Sequence, residues 1–153
     1  MRKSQVVLSE GMAAPLFKLY DSSNNLFDLS DYKDKLLVVY FYPKDDTPGC
    51  TAQACGFSSL LEEFKKLGVE IYGISSDDSL SHKKFIEKYN ILFPLLIDKD
   101  WKVAKLYGAY KNGKLNRSTF VIKNLIIQKV FYNADPKNNP KEVLDSLKSL
   151  VKN

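Results

Sequence analysis

LLVVYFYPKDDTPGCTAQAC, residues 36–55, changes character abruptly at its middle. Leu36 to Tyr42 is an unbroken apolar, β-branched and aromatic run, the pattern of a strand covered on both faces. Pro43 ends it. Thr47-Pro48-Gly49 then opens a helix, since proline tolerates an early helical position where its missing N–H would have no partner anyway. That helix is expected over 47–68, with Leu60, Leu61 and Phe64 as an apolar stripe and Gly68 as the stop. Both cysteines of the chain, Cys50 and Cys55, fall near its start.

Upstream, PLFKLYDSSNNLFDLSDY (15–32) reads as two short strands around a Ser/Asn-rich turn, an N-terminal β-hairpin. Downstream, VEIYGIS (69–75) alternates like a strand and SLSHKKFIEKYN (79–90) reads as a helix. FPLLID (93–98) reads as a third strand and WKVAKLYG (101–108) as a helix. RSTFVIKNLIIQKVFYN (117–133) holds two strands joined at 123–125, and NPKEVLDSLKSLVK (139–152) is a closing helix with Pro140 in its first turn. Strands alternating with helices imply an α/β fold, and the final hairpin makes the sheet mixed.

The chain has 153 residues, of which 44% are hydrophobic and 27% charged, which fits one globular domain spanning 1–153. Its formal charge of +5 would suit an acidic partner, yet the lysines are dispersed and only two arginines occur, Arg2 and Arg117. No nucleic-acid motif accompanies them. The opening residues are expected to hold too short an apolar run for a secretory leader, and no run approaches a membrane span. A reducing cytoplasm is the expected location, where two thiols are usually buried, catalytic or metal-bound. With His82 the only histidine and no CxxC, no metal site is expected.

A cysteine in the first turn of a helix faces N–H groups that lack intrahelical partners and the positive end of the helix dipole. Both favour the thiolate, the nucleophilic form. Cys55 is a different matter. Five residues along an ideal helix separate two Cα atoms by roughly 8 to 9 Å, beyond the roughly 7 Å that a disulfide spans. The two cysteines therefore either never pair or pair only when the helix start unwinds. Thr47 stands where its hydroxyl would cap the helix or serve a small polar ligand beside the sulfur. Asp45 and Asp46 would repel a thiolate and are expected to be exposed. Arg117 starts an apolar strand, either as a strand-end charge or with its guanidinium fork beside the sulfur.

Pro43, Thr47 and Cys50 spell P-x-x-x-T-x-x-C, and FYPKDDTPGCTAQAC resembles the active-site motif of peroxiredoxins, closest to the bacterioferritin-comigratory or PrxQ-like subfamily. GISSDD, FPLLID and RSTFVI resemble later blocks of that family. The resemblance implies a thioredoxin-like fold with peroxiredoxin additions and no cofactor. It makes Cys50 the peroxidatic cysteine, Cys55 the resolving thiol, Thr47 and Arg117 activators, and Pro43 a shield over the pocket. Gln53 falls where relatives carry Glu or Gln. The implied activity is reduction of peroxides by a monomer, recycled by thioredoxin or a glutaredoxin-type donor. Competing readings are a general thiol–disulfide oxidoreductase, which the cysteine spacing disfavours, and a non-enzymatic basic α/β binding module. AYKNGKLN (109–116) is shorter than the corresponding connection in many relatives.

Overall fold

The computed structural model describes residues 7–151. The opening residues, Arg2 among them, and Lys152, which the sequence reading assigns to the closing helix, lie outside that range. The chain runs β1 (Lys18–Tyr20), β2 (Leu26–Asp28), β3 (Leu36–Phe41), α1 (Pro48–Ser59), α2 (Leu61–Lys66), β4 (Val69–Ser75), α3 (Ser79–Tyr89) and β5 (Leu95–Ile97). There follow α4 (Lys102–Leu106), β6 (Tyr110–Lys111), β7 (Lys114–Leu115), β8 (Ser118–Lys123), β9 (Ile126–Tyr132) and α5 (Asn139–Val151). Five strands form one sheet in the order β5-β4-β3-β8-β9. β3 pairs in parallel with β4 and antiparallel with β8, so the sheet is mixed about its central strand. The expected N-terminal hairpin is the antiparallel pair β1–β2.

Alternation along β3 divides the core in two. Leu37, Val39 and Phe41 pack on one face with Phe17, Phe27, Tyr107 and Phe120, beneath the N-terminal hairpin and α4. Val38, Tyr40 and Tyr42 pack on the other with Phe57, Phe64, Phe85, Val143 and Leu144, drawn from α1, α2, α3 and α5. Both faces of β3 are therefore covered, as its continuous apolar run implies. Tyr40 finds room because its register partner on β4 is Gly73. A Cβ at Gly73 would stand 3.0 Å from the Tyr40 hydroxyl and 2.8 Å from Leu95.

Several local details differ from expectation. The helix expected over 47–68 breaks at Leu60, whose backbone sits at φ −100°, ψ 3°. The Ser59 hydroxyl donates to the Gly56 carbonyl at 2.9 Å, a side-chain bond that competes with helical pairing. The bend delivers Leu61 and Phe64 to the core. The helix expected over 101–108 is shorter: a 3-10 turn at Lys99–Trp101 precedes α4. Asp98, at the end of β5, accepts the Val103 and Ala104 N–H groups at 2.9 Å each and fixes where α4 starts. The 109–116 connection is itself a small hairpin, β6–β7, turning on Asn112-Gly113 with both residues at positive φ. β4 also fails to alternate; only Glu70 is exposed along it, because neighbouring layers cover both faces. Among the described residues no helix is long and apolar enough to cross a membrane.

Candidate active site

The loop leaving β3 delivers the chain to α1 with Thr47 extended at the N-cap position and Pro48 at the first helical position. The Thr47 carbonyl accepts the first helical bond, from Thr51 N–H, at 2.8 Å. Cys50 thus lies in the first turn, as the sequence suggests. Its side chain is 1% exposed and packs in the layer that includes Tyr40, Tyr42 and Ala54. It is not walled off by hydrocarbon alone. Arg117, immediately before β8, reaches it through Nη2, which donates to Cys50 Sγ at 3.4 Å. The β3–β8 register sets Ser118 opposite Phe41, so Arg117 emerges at the end of β3 where the loop to α1 begins. Gly49 leaves room for the approach, for a Cβ there would lie a tight 3.1 Å from Arg117 Nη2.

The guanidinium is held on its other edge too. Arg117 Nη1 donates to Gln53 Oε1 at 2.7 Å, and Gln53 Nε2 donates to Asn139 Oδ1 at 3.1 Å. Below the site, burial pushes the Tyr40 phenol well above its ordinary range and the nearby Cys50 charge adds to the rise. Tyr40 therefore keeps its proton.

The loop itself corrects one expectation. Asp46 is exposed, with Lys88 and Tyr89 donating to it at 2.9 and 2.7 Å; these bonds hold its carboxyl below the usual range. Asp45 is instead buried, at 7% exposure. It accepts from Tyr42 Oη at 2.6 Å and Ser81 Oγ at 2.8 Å, and lies 2.6 Å from His82 Nδ1. Its own N–H donates to Asp77 at 2.7 Å. His82 Nε2 lies 2.9 Å from the Leu96 carbonyl, which only accepts, so that nitrogen carries a proton. These partners offset the cost of burying the carboxylate. Asp45 fastens the loop before Cys50 to α3.

Thr47 occupies the N-cap position, but its hydroxyl caps nothing and donates to the Lys44 carbonyl at 2.9 Å. Pro43 stands exposed between β3 and this loop. Cys55 lies farther along α1, half-buried, and both cysteines are free thiols. The fold thus brings Cys50 and Arg117 into contact, keeps Thr47 and Pro43 in the adjoining loop, and leaves Cys55 on the same unbroken helix. Sequence reasoning missed the Asp45–His82 contact and the part played by Asn139. Nothing in the sequence marked either, for the partners lie 37 and 86 residues apart.

Residues 11–130 match the AhpC/TSA family. Peroxiredoxin Q, chloroplastic, of Oryza sativa subsp. japonica is 45% identical over 148 residues, covering 94% of this chain and 68% of that protein. Among solved structures, the bacterioferritin comigratory protein of Xanthomonas campestris, studied for its alkyl peroxide reduction activity, superposes with a TM-score of 0.83 at 32% identity. That match covers 88% of this chain and 92% of the other. Peroxidoxin BcpB of Mycobacterium tuberculosis gives a TM-score of 0.84 at 32% identity over 92% of this chain and 96% of its own. With a sulfur and a guanidinium meeting where the family motif P-x-x-x-T-x-x-C falls, the chain belongs to the AhpC/TSA family, in its peroxiredoxin Q / bacterioferritin comigratory branch of thiol peroxidases.

Proposed function

We propose that Cys50 is the peroxidatic cysteine of a two-cysteine peroxidase acting on hydrogen peroxide and organic hydroperoxides, with Cys55 as the resolving thiol. The observation that carries this reading is the Arg117 Nη2–Cys50 Sγ contact of 3.4 Å in the first turn of α1. The thiolate attacks one peroxide oxygen, an S–O bond forms, the O–O bond breaks, and the other oxygen leaves as hydroxide or alkoxide and takes a proton. Charge develops on the leaving oxygen. Donors already fixed in place, the guanidinium and the N–H groups at the start of α1, stabilise it without rearranging. The Thr47 hydroxyl turns from the Lys44 carbonyl to join them, and Pro43 shields the pocket from water.

The product is the Cys50 sulfenic acid. Unwinding of the first turns of α1 then lets the Cys55 sulfur attack it, expelling water and leaving an intramolecular disulfide. A dithiol donor, of thioredoxin or glutaredoxin type, returns both sulfurs to thiols in a two-electron exchange. The protein acts as a cytoplasmic monomer in this scheme. Peroxide consumption coupled to a thioredoxin system is the test. Cys50→Ser is expected to abolish turnover. Cys55→Ser keeps one rapid stoichiometric reaction with peroxide but stalls recycling. Turnover near wild type in Cys50→Ser would remove the assignment, and sustained thioredoxin-linked turnover in Cys55→Ser would remove Cys55 from its role.

A further inference from the structure

The hydrogen bonds that run from the sulfur into α5 have a fixed direction. A guanidinium only donates, so Gln53 must turn its oxygen toward Arg117 Nη1, 2.7 Å away. That places the Gln53 amide nitrogen against Asn139, 3.1 Å away, and obliges Asn139 to present its oxygen. The same Asn139 oxygen accepts the Thr119 hydroxyl at 2.7 Å. Gln53, Thr119 and Asn139 are all fully buried, so none can turn to water instead. The arrangement leaves the Asn139 amide nitrogen with no hydrogen-bond partner among the described residues. An unpaired buried donor is costly, and Asn139 bears it while serving two donors through a single oxygen.

The three side chains come from α1, β8 and α5, and close packing joins the same elements. A Cβ on Gly56 of α1 would stand 2.8 Å from Pro140 Cγ, beside Asn139. We propose that Asn139, held by Thr119, is a positioning residue for peroxide reduction: it fixes Gln53 and through it the face that Arg117 turns to the Cys50 sulfur. This rests on Cys50 being the peroxidatic sulfur. Asn139 touches neither substrate nor sulfur. Without its oxygen, Gln53 is free to rotate and the guanidinium loses the partner that keeps its second edge in plane. The link also joins α1 to α5 only while α1 is folded, so unwinding of α1 breaks it.

The test is the second-order rate of the peroxide reaction, measured by competition with a haem peroxidase for hydrogen peroxide, on folded variants checked by circular dichroism. Asn139→Ala is expected to react about fivefold to tenfold more slowly, the worth of one ordinary hydrogen bond. Asn139→Asp keeps an acceptor for both donors and is expected to stay within about twofold of wild type, whereas Asn139→Leu, which fills similar space with no acceptor, is expected to slow as Asn139→Ala does, a loss that a packing role alone would not give. Gln53→Ala and the double variant Gln53→Ala/Asn139→Ala are expected to react at the same rate, because Asn139 acts through Gln53. A wild-type rate in Asn139→Ala, failure of Asn139→Asp to rescue, or multiplied losses in the double variant would overturn the proposal while leaving Cys50 in place. A wild-type chain inert to peroxide would overturn both. Should Asn139→Ala not fold, Thr119→Val carries the test: removing the hydroxyl that holds Asn139 slows the same step severalfold, and an unchanged rate contradicts the role.

Discussion

Arg117 joins two tasks in one planar group: one edge meets the Cys50 sulfur at 3.4 Å, the other the Gln53 oxygen at 2.7 Å. A lysine ammonium concentrates its donors at a point and cannot reproduce that fork. Arg117→Lys is therefore expected to slow the reaction of Cys50 with peroxide by about tenfold or more, the loss of a hydrogen bond to a charged group. Stopped-flow oxidation with excess peroxide measures it, and an unchanged rate would place Arg117 outside the chemistry. Arg117 was legible because it is the only arginine beyond position 2 and stands at the head of an apolar strand. Asp45 was not. Two adjacent acids in a loop read as solvated, and the imidazole that receives Asp45 lies 37 residues away. Side-chain pairing across that separation leaves no local pattern.

The elements around α1 divide holding from release. Tyr42 of the β3 end and Ser81 and His82 of α3 hold the loop before Cys50 through Asp45, so α1 can unwind from a start that stays anchored. His82→Ala would leave a buried carboxylate without one of the two partners it meets at 2.6 Å. A loss of about 3 kcal/mol in unfolding free energy is expected, the usual cost of breaking a buried pair from one side. Urea denaturation measures it, and adding Asp45→Asn should recover part of the loss; full stability in His82→Ala would mean that the contact anchors nothing. Most elements were legible from periodicity and breakers: β3, β4, α3, β8, β9 and α5 lie where the sequence puts them. The break at Leu60 was not, because the apolar residues on either side keep helical spacing. It follows from Ser59 bonding a carbonyl and from the core that Leu61 and Phe64 must reach.

For the molecule as a whole, the sheet order β5-β4-β3-β8-β9 sets the loop after β3 against the residue before β8, which brings Cys50 and Arg117 together across 67 residues. Composition and alternation predict a mixed α/β sheet but do not choose the neighbour of β3; the family resemblance supplied that step. A second buried acid reports on overall stability. Burial raises the Asp98 carboxyl above its ordinary range, against the lowering by the Val103 and Ala104 N–H bonds. Its folded-state proton affinity exceeds that of the unfolded chain, so its contribution to stability is greatest below the ordinary carboxyl range and falls as pH rises through the folded value. The difference in urea midpoint between wild type and Asp98→Asn should therefore shift against the wild type as pH climbs from about 4 toward 7. A difference that stays constant or shifts in its favour would contradict the raised value. Pairing of Cys50 with Cys55 by unwinding of α1 is tested by hydrogen exchange over residues 48–59, read by mass spectrometry before and after one equivalent of hydrogen peroxide. Slow exchange across α1 is expected in the reduced protein, then fast exchange together with a mapped Cys50–Cys55 disulfide, while β3 stays protected. A Cys50–Cys55 disulfide with α1 still protected, or peroxide consumed with Cys55 left free, would contradict pairing by unwinding.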